Sequence, residues 1–355
     1  MEKKKILVIN LGSSSTKAAY YEDEACIFQE NIQHPAEELK KFTRIWEQFS
    51  YRKEAVLELL RRKEIVLEEL DAVASRGGHT EPIEGGTYRI TEKMLEQSAS
   101  EKYGNHATDL GIRLAADFAK SGPEAYTVDP PVTDEFERLA RYSGLPQIQR
   151  RSSFHVLNHR AVGRQYAKDK GASYEELNLI VVHMGGGISV AVHKKGRLVD
   201  ANNAIDGDGP FSTNRCCSVP VGDLVKLCYS GQYTLEEMKQ ILNGKSGLIA
   251  YVGDSDVKRV CERAEAGDAG CEEALEAMCY QIAKEIGADA SVVNGNVDAI
   301  LLTGGIAYSE KIVEAVRKRV EFIAPVAVYP GEYEMQSLAL NTLAVLRGEI
   351  EAKEL

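Results

Sequence analysis

The stretch Ile6–Ala19 reads Ile-Leu-Val-Ile-Asn-Leu-Gly-Ser-Ser-Ser-Thr-Lys-Ala-Ala, and it decides the fold. Four apolar residues in succession are typical of a strand that is buried on both faces. Asn10, Gly12, three serines and Lys17 follow, and they offer backbone N–H groups, hydroxyls and one cation to a polyphosphate. The glycine spacing of a Walker A loop is absent. Because residues 18–21 favour a second strand, we predict a strand–turn–strand phosphate clamp, with an ordinary polar-tipped hairpin as the alternative.

Two further glycine turns follow apolar strands. Leu179–Val192 reads Leu-Ile-Val-Val-His-Met-Gly-Gly-Gly-Ile-Ser-Val-Ala-Val, so that His183 takes the place of Asn10. Leu301–Ala307 reads Leu-Leu-Thr-Gly-Gly-Ile-Ala and precedes a predicted helix, whose N-terminal amides could meet a phosphate or ribose. Two clamps half a chain apart indicate a duplicated α/β domain with a cleft between the halves. Three such turns predict a nucleotide held there.

Length and composition narrow the class of protein. A chain of 355 residues, 44% apolar and 27% charged, is long enough for two domains with separate cores. The formal net charge of −11 argues against nucleic acid or an anionic membrane surface as the main partner. We see no run long enough to span a membrane and no signal-peptide core, so we expect a cytoplasmic protein. Seven scattered cysteines are expected to be reduced thiols.

Several polar residues follow predicted strands, where the active sites of open α/β sheets lie. Arg76 comes after the strand 71–75, and its guanidinium can fork onto a carboxylate or phosphate, although a surface arginine in a turn is the alternative. Asp129 follows the strand 125–128. His155 opens a predicted helix with His159 one turn later, but no neighbouring glutamate completes a metalloprotease pattern. We therefore expect one functional histidine and one structural histidine rather than a zinc site.

The motifs resemble those of the short-chain fatty-acid kinases, which belong with acetate kinase in the actin/hexokinase/sugar-kinase superfamily. The similar segments are Asn-x-Gly-Ser-Ser-Ser-x-Lys at 10–17, His-Met-Gly-Gly-Gly at 183–187 and Thr-Gly-Gly-Ile-Ala at 303–307. The resemblance covers the full length of the chain. Ser-Arg-Gly-Gly at 75–78, Phe-His-x-Leu-Asn-His at 154–159 and Gly-Pro-Phe-Ser at 209–212 are closest to members that act on butyrate.

This resemblance implies two ribonuclease-H-like (actin-like ATPase) domains with a nucleotide cleft between them. Residues 1–153 would form the acid-binding domain and residues 154–335 the nucleotide-binding domain, with a helix at about 336–355 returning to the first. The implied reaction is direct in-line transfer from ATP to a carboxylate with Mg²⁺, giving ADP and an acyl phosphate. A carboxylate is ionised at neutral pH, so the reaction needs positioning and charge neutralisation rather than a strong base. The family also implies a homodimer or larger homo-oligomer.

The resemblance assigns roles to individual residues. Arg76 would hold the acid's carboxylate, His155 would donate to the transferred phosphoryl group, and Arg215 is the nearest substitute for a second catalytic arginine. Asp129, Asn10 and Glu334 would position Mg²⁺, with Glu332 as the alternative to Glu334. The residues assigned to the nucleotide and its phosphates are Asn10, Ser13, Ser15, Lys17, His183, Gly185, Gly186, Gly187, Gly304, Gly305 and Ile306. The residues assigned to the acid pocket are Gly77, Gly78, His106 and Phe154.

Two features bear on rate and on substrate size. The segment Cys216-Cys217-Ser218 stands where Ser-Gly-Gly is expected, so bulkier residues could shift that loop. Gly77 and Gly78 replace the branched residues that follow the first catalytic arginine of acetate kinases. The missing bulk predicts room for two or more methylenes, each worth roughly 0.8 kcal/mol when buried. We therefore expect butyrate or a branched acid of four to five carbons.

Three alternatives remain open from the sequence. A kinase for isobutyrate, propionate or acetate differs only in the pocket. A nucleotide-binding regulator that has lost catalysis has the Cys-Cys-Ser segment in its favour and the combination of Asn10, Arg76, Asp129 and His155 against it. A sugar kinase or chaperone ATPase lacks support, because we find no sugar-binding segment or peptide-binding domain.

Overall fold

Two β-sheets organise the chain, and the computed structural model describes residues 3–355. The residues group into two units. The first unit is the chain up to Asp134 together with Tyr333–Leu355, and the second is Glu135–Glu332.

The first unit is built on a six-stranded sheet of order β3-β2-β1-β4-β6-β5. Its strands are β1 (Lys5–Leu11), β2 (Ser15–Glu22), β3 (Ala25–Gln33), β4 (Ala72–Ser75), β5 (Thr87–Arg89) and β6 (Glu124–Val128). The first three strands form an antiparallel meander, whereas β1, β4 and β6 run parallel. Residues 6–11 are buried, as the unbroken apolar run of β1 predicts.

Helices cover this first sheet. They are α1 (Ala36–Leu39), α2 (Phe49–Arg62), α3 (Glu92–Ala99), α4 (Asp109–Ala119) and α12 (Glu334–Leu346). The last of them packs on β1, β4 and β6, and its buried residues include Leu338 and Leu343. Beyond it, Lys353 adds to the sheet beside β5, where its N–H group donates to Thr87 O at 2.8 Å.

The second unit repeats the strand pattern. Its sheet has the order β11-β10-β7-β8-β9, with β7, β8 and β9 antiparallel and β7, β10 and β11 parallel. The strands are β7 (Asn178–Met184), β8 (Ile188–Lys194), β9 (Arg197–Ala201), β10 (Ala299–Gly304) and β11 (Val326–Pro330). The helices are α5 (Val156–Lys170), α6 (Val221–Cys228), α7 (Leu235–Leu242), α8 (Leu248–Val252), α9 (Val257–Glu265), α10 (Ala269–Val292) and α11 (Glu310–Val320). The meander followed by parallel strands is therefore present twice.

The boundary between the units lies earlier than the sequence analysis placed it. Residues 135–153 group with the second unit instead of the first. The reason is local: Glu135 forms a buried ion pair with Arg160 at 2.6 Å and accepts the Leu198 N–H at 2.8 Å. Phe136 stacks on Phe154, with 6.4 Å between the ring centroids. These contacts attach the segment to α5 and β9.

Among residues 3–355, no helix is both long and apolar enough to cross a membrane. All seven cysteines are free thiols.

Candidate active site

The first glycine turn joins β1 to β2, as the sequence predicted. Asn10 lies opposite Lys17 in the ladder, and the Gly12 N–H donates to Ser15 O at 2.8 Å to close the turn. Ser13 at its tip is exposed. The residues assigned to a phosphate therefore lie on one short hairpin.

A buried arginine, which the sequence analysis did not single out, holds this turn from behind. Arg52 of α2 has no exposed surface. Its Nη1 donates to the carbonyl oxygens of Gly12 and Ser15 at 2.9 and 3.1 Å, and its Nη2 donates to that of Ser13 at 2.8 Å. Because these carbonyls point toward the guanidinium, they are turned away from an incoming anion. Burial lowers the pKa of Arg52, yet a guanidinium remains protonated in proteins.

Glu334 connects the phosphate turn to Arg76. Its Oε2 accepts from Asn10 Nδ2 at 2.7 Å and from Arg76 Nη1 at 3.1 Å. The Glu334 side chain is 7% exposed and that of Arg76 is 26% exposed, so the pair is largely shielded while the guanidinium keeps an open side. Glu332, the alternative, is exposed.

The two glycines after Arg76 fit the backbone and not an open pocket, which corrects the steric argument for substrate size. Gly77 has a φ of 130°, and a Cβ there would lie 2.0 Å from Thr108 O. Gly78 has a φ of 100°, and its Cβ would meet the fully buried Ile112 at 3.3 Å. Both positions need glycine because of the positive φ and the close packing. The space that side chains would take is already filled by the protein.

A buried aspartate ties the Arg76 loop to the start of α4. Asp109 accepts from the backbone N–H groups of His79 and His106, each at 2.9 Å, and also contacts His79 Nδ1 at 2.9 Å. Burial by itself raises the pKa of the Asp109 carboxyl, but the His79 imidazole and these N–H donors outweigh it, so the pKa is lowered. Desolvation and then the charge of Arg76 lower the pKa of His106. His106, which was assigned to the acid pocket, thus lies near Arg76.

Asp129 follows β6 with a left-handed φ of 41° and is 1% exposed. Its Oδ1 accepts the Gly86 N–H at 2.8 Å, and its own N–H donates to Gly86 O at 2.9 Å. A non-glycine residue in this conformation carries strain, which is frequent at functional sites.

The second glycine turn joins β7 to β8, and Arg215 packs against it. A Cβ on Gly187 would lie 2.3 Å from Arg215 Nη1, which donates to Ala204 O. Desolvation lowers the pKa of Arg215. The Ser212 hydroxyl binds the loop to the turn by donating to Gly186 O at 2.6 Å. Cys217, two residues after Arg215, has a φ of 50°, a conformation that glycine adopts at lower cost.

His155 and His183 stack face to face behind this turn. Their ring centroids are 3.9 Å apart and their planes differ by 14°. His155 caps α5 and its Nδ1 lies 2.9 Å from Ser189 Oγ, while His183 on β7 places Nδ1 2.9 Å from Asn158 Nδ2. The structure brings together two histidines that the sequence analysis treated separately.

Phe154, which was assigned to the acid pocket, is largely buried. It is 8% exposed and belongs to a core cluster of the second unit with Phe136 and Leu198. The ring of His159 meets it edge-on at 5.1 Å. Its surface is used for packing, so it has little left for a substrate.

The third glycine turn ends β10 and opens onto a cleft of about 620 Å³ in the second unit. Gly304 has a φ of 87°, and a Cβ there would lie 2.4 Å from Met184 O, so the second and third turns touch through their backbones. A short 3₁₀ turn and then α11 follow. The cleft is lined by Gly185, Gly186, Thr213, Ser255, Asp256, Val257, Lys258, Cys261, Glu262, Glu265, Gly305, Ile306, Tyr308 and Ser309.

The part of this lining that α9 provides was not predicted from the sequence. Residues 255–265 read as an ordinary helix, and no glycine turn or strand end marks them. Asp256 caps α9 by accepting from the N–H of Lys258 at 2.9 Å, which was a readable helix-start signal. Nothing in the sequence, however, placed that helix next to the glycine turns.

The strand order and the paired glycine turns define an actin-like ATPase fold with two domains. A solved structure of acetate kinase from Porphyromonas gingivalis has the same fold, with a TM-score of 0.81, 20% identity, and coverage of 97% of this chain and 100% of that one. A propionate kinase from Francisella tularensis subsp. tularensis SCHU S4 gives a TM-score of 0.76 at 18% identity, over 95% and 98% of the two chains.

Sequence relatives are much closer. The model of the Acetokinase family matches residues 143–329. A probable butyrate kinase of Clostridium botulinum (strain Eklund 17B / Type B) is 49% identical over 98% of this chain and 99% of its own. Butyrate kinase 1 of Clostridium acetobutylicum is 49% identical over 99% of both chains. The chain therefore belongs to the Acetokinase family.

Proposed function

We propose that this protein transfers the γ-phosphoryl group of ATP to a short-chain carboxylate, with butyrate preferred, to give ADP and an acyl phosphate. The observation that carries the proposal is the cluster in which buried Glu334 holds both Asn10 of the phosphate turn and Arg76. An arginine fixed in this way presents a planar fork to a carboxylate. Relatives named butyrate kinase, 49% identical over nearly the full length, support the choice of acid.

The chemistry needs no proton transfer. A carboxylate oxygen attacks the γ-phosphorus, the bond to the β–γ bridging oxygen breaks, and ADP leaves with that electron pair. Arg76 orients the acid, His155 and Arg215 donate to the oxygens on which negative charge is redistributed, and the glycine turns hold the remaining phosphates. The cleft beside Gly186 and Ile306 has a size and a lining that suit ATP, and we assign the nucleotide to it.

We propose Mg²⁺ as the metal of the reaction. Mg²⁺ takes oxygen ligands, and it is held through one or two carboxylates together with phosphate oxygens and waters. Glu334 and Asn10 offer such oxygens beside the phosphate turn, and among residues 3–355 no group of three or more His, Cys, Asp or Glu side chains forms a cage for a metal. The residues present thus fit Mg²⁺, with Asp129 as a further carboxylate. When bound, the ion would neutralise charge on the phosphates.

The test is acyl-phosphate formation, trapped with hydroxylamine, with ATP, Mg²⁺ and acids of two to six carbons, straight and branched. We expect the highest kcat/KM with butyrate or a branched acid of four to five carbons. A maximum at acetate would overturn the substrate choice. An absence of product with every acid, despite ATP binding, would favour a non-catalytic nucleotide-binding regulator.

We also propose that the chain forms a homo-oligomer, and that α6 supplies its interface. No residue of α6 is buried, and Val221, Tyr229 and Leu235 in this region are 70%, 89% and 70% exposed. Asp223 and Lys226 pair with each other, so the face is close to neutral in a chain of net charge −11 and a second copy is not repelled there.

A reduced, ATP-using enzyme of this kind would act in the cytoplasm.

Sedimentation of V221E and Y229E tests the interface. We expect both variants to sediment as smaller species than the wild type. Phe322→Glu is the matched control, because Phe322 is 82% exposed on the same unit but outside this face. An unchanged mass in both the V221E and Y229E variants would rule the face out.

A further inference from the structure

The stacked histidines are each tied to a hydrogen-bond network whose polarity can be followed atom by atom. We infer that His155 and His183 are both held as the neutral tautomer with the proton on Nε2, and that Ser189, His159 and Asn158 are the positioning residues that hold it. The inference rests on the proposed function for its catalytic meaning, because His155 is the assigned donor to the phosphoryl group.

The network around His183 begins at Thr303. The Thr303 hydroxyl donates to Gly331 O at 3.1 Å, and since it has one hydrogen its oxygen must act as acceptor toward Asn158 Nδ2 at 3.4 Å. The Asn158 amide nitrogen therefore faces His183 as a donor, at 2.9 Å from Nδ1. His183 Nδ1 is then an acceptor, and the proton of the neutral ring is on Nε2. That nitrogen lies beside the second glycine turn, 3.1 Å from where a Cβ of Gly185 would be.

The network around His155 begins at His159. His159 is 0% exposed, and complete burial moves its pKa far below the usual value, so its ring is neutral. Its Nε2 lies 2.7 Å from Ser189 Oγ, whereas its Nδ1 has no hydrogen-bond partner among residues 3–355. An unpartnered buried N–H is rarer in folded proteins than an unpartnered acceptor. The His159 proton is therefore on Nε2 and is donated to Ser189.

Ser189 transmits this choice to His155. Its oxygen accepts from His159, and if it accepted from His155 as well, its own hydrogen would have no acceptor among residues 3–355. That hydrogen is therefore directed to His155 Nδ1 at 2.9 Å. His155 must then carry its proton on Nε2. The stack is consistent with this result, because two neutral rings 3.9 Å apart do not repel, whereas two imidazolium ions would.

The tautomer decides whether each ring presents an N–H donor or a lone pair to a phosphoryl oxygen. With Nε2 protonated, His155 offers an N–H donor from the nitrogen that Ser189 does not use, and the same holds for His183 relative to Asn158. The other tautomer would offer a lone pair, which repels a phosphoryl oxygen. Holding an imidazole in the right tautomer is worth several orders of magnitude in rate at other catalytic sites.

The experiment is NMR of the ligand-free protein labelled with ¹⁵N-histidine, with His155→Gln used to assign the His155 signals. In the wild type we expect His155 Nδ1 to show the signature of an unprotonated acceptor and Nε2 that of an N–H. Ser189→Ala and His159→Leu should mix the two tautomers and lower kcat at least tenfold, with a smaller change in the KM for ATP. His159→Gln should restore much of both, because its amide can donate to Ser189.

Ser98→Ala is the matched control, since it removes a buried hydroxyl without a hydrogen-bond partner from α3 and should change neither readout. A protonated Nδ1 on His155 in the wild type, or an unchanged tautomer in Ser189→Ala, would overturn the inference. The NMR result does not need turnover. A protein that shows the expected tautomers yet makes no acyl phosphate would contradict the proposed function and leave the tautomer assignment standing.

Discussion

Arg52 donates to three carbonyl oxygens of the first glycine turn, and nothing about its place in the sequence predicts this. It lies on α2 among the buried apolar residues Val56, Leu59 and Leu60. Its guanidinium replaces the water that those carbonyls would otherwise bind. The turn therefore depends on a helix that lies about 40 residues further along the chain.

Replacing Arg52 by methionine should weaken both the turn and ATP binding. The change removes the Arg52 donors from three carbonyls, of which Ser15 O still accepts the Gly12 N–H, and a buried group left unsatisfied costs about 1–3 kcal/mol. We expect the free energy of unfolding in urea to fall by about 2–4 kcal/mol and the KM for ATP to rise about tenfold or more.

Arg113→Met is the control for that variant. Arg113 is exposed on α4 of the same unit and packs over Phe49, with 4.5 Å from its guanidinium carbon to the ring centroid. It should lose little stability and keep the KM. A wild-type KM in Arg52→Met would show that the guanidinium serves stability alone.

Gly77→Ala should disturb the backbone rather than the choice of acid. Gly122 has nearly the same φ, 131° against 130°, but a Cβ there meets nothing within 4 Å. Gly77→Ala and Gly122→Ala therefore pay the same free-energy cost for an alanine at positive φ. The difference between their losses in the free energy of unfolding isolates the clash with Thr108 O. We expect Gly77→Ala to lose about 1–3 kcal/mol more free energy of unfolding, as overpacking usually does. Equal losses would mean that the Arg76 loop can move aside.

At the level of elements, the sequence predicted the strands and turns well. Unbroken apolar runs located β1, β7 and β10, and the glycine turns after them have the predicted place. Local chemistry sufficed there, because a buried parallel strand and a tight turn each restrict residue type. The contacts of Arg52 and α9 could not be predicted, since they join residues far apart in the chain and leave no spacing to detect. Glu334 was assigned beside Asn10 only through the family resemblance, and not from any spacing.

One face of α10 carries an acid that is buried without a full set of partners. Asp289 is 7% exposed, and its Oδ2 has no hydrogen bond within the described residues. Burial, together with the negative charges of Glu285 and Asp200, raises its pKa well above the usual value. The folded state thus keeps a proton that the unfolded state loses, so the contribution of this group to stability falls as pH rises above about 4.

Asp289→Asn should therefore gain stability relative to the wild type as the pH increases. We expect the difference in the free energy of unfolding in urea, variant minus wild type, to be larger at pH 8 than at pH 5. Ser291→Ala, at an exposed position of the same helix, removes no titratable group and should give a difference that does not change with pH. A flat difference for Asp289→Asn would mean that this carboxyl is ionised in the folded protein.

For the molecule as a whole, the stability of the first unit depends on a segment of the chain that is synthesised after the second unit. Helix α12 covers β1, β4 and β6, and Leu338 and Leu343 are 0% and 2% exposed. Burying a leucine contributes about 1.5–3 kcal/mol, so these two alone account for a large share of a typical domain's 5–15 kcal/mol.

A chain that ends at Glu332 should keep only the second unit folded. In hydrogen exchange we expect β7 and β10 to remain protected and β1, β4 and β6 to exchange rapidly. A chain that ends at Gly348 retains α12 and should protect both sheets. Native protection of β1 in the shorter chain would show that the helix is dispensable.

The position of Glu334 also orders events on the ribosome. Asn10 and Arg76 are synthesised before the whole of the second unit, and the carboxylate that holds them is synthesised after it. At about 5–20 residues per second, the nascent first unit keeps the α12-binding face of its sheet uncovered for many seconds, which gives chaperones a surface to bind. A nascent chain that does not yet contain Glu334 cannot form the ion pair that holds Arg76 in place, so catalysis begins only once synthesis has passed that point.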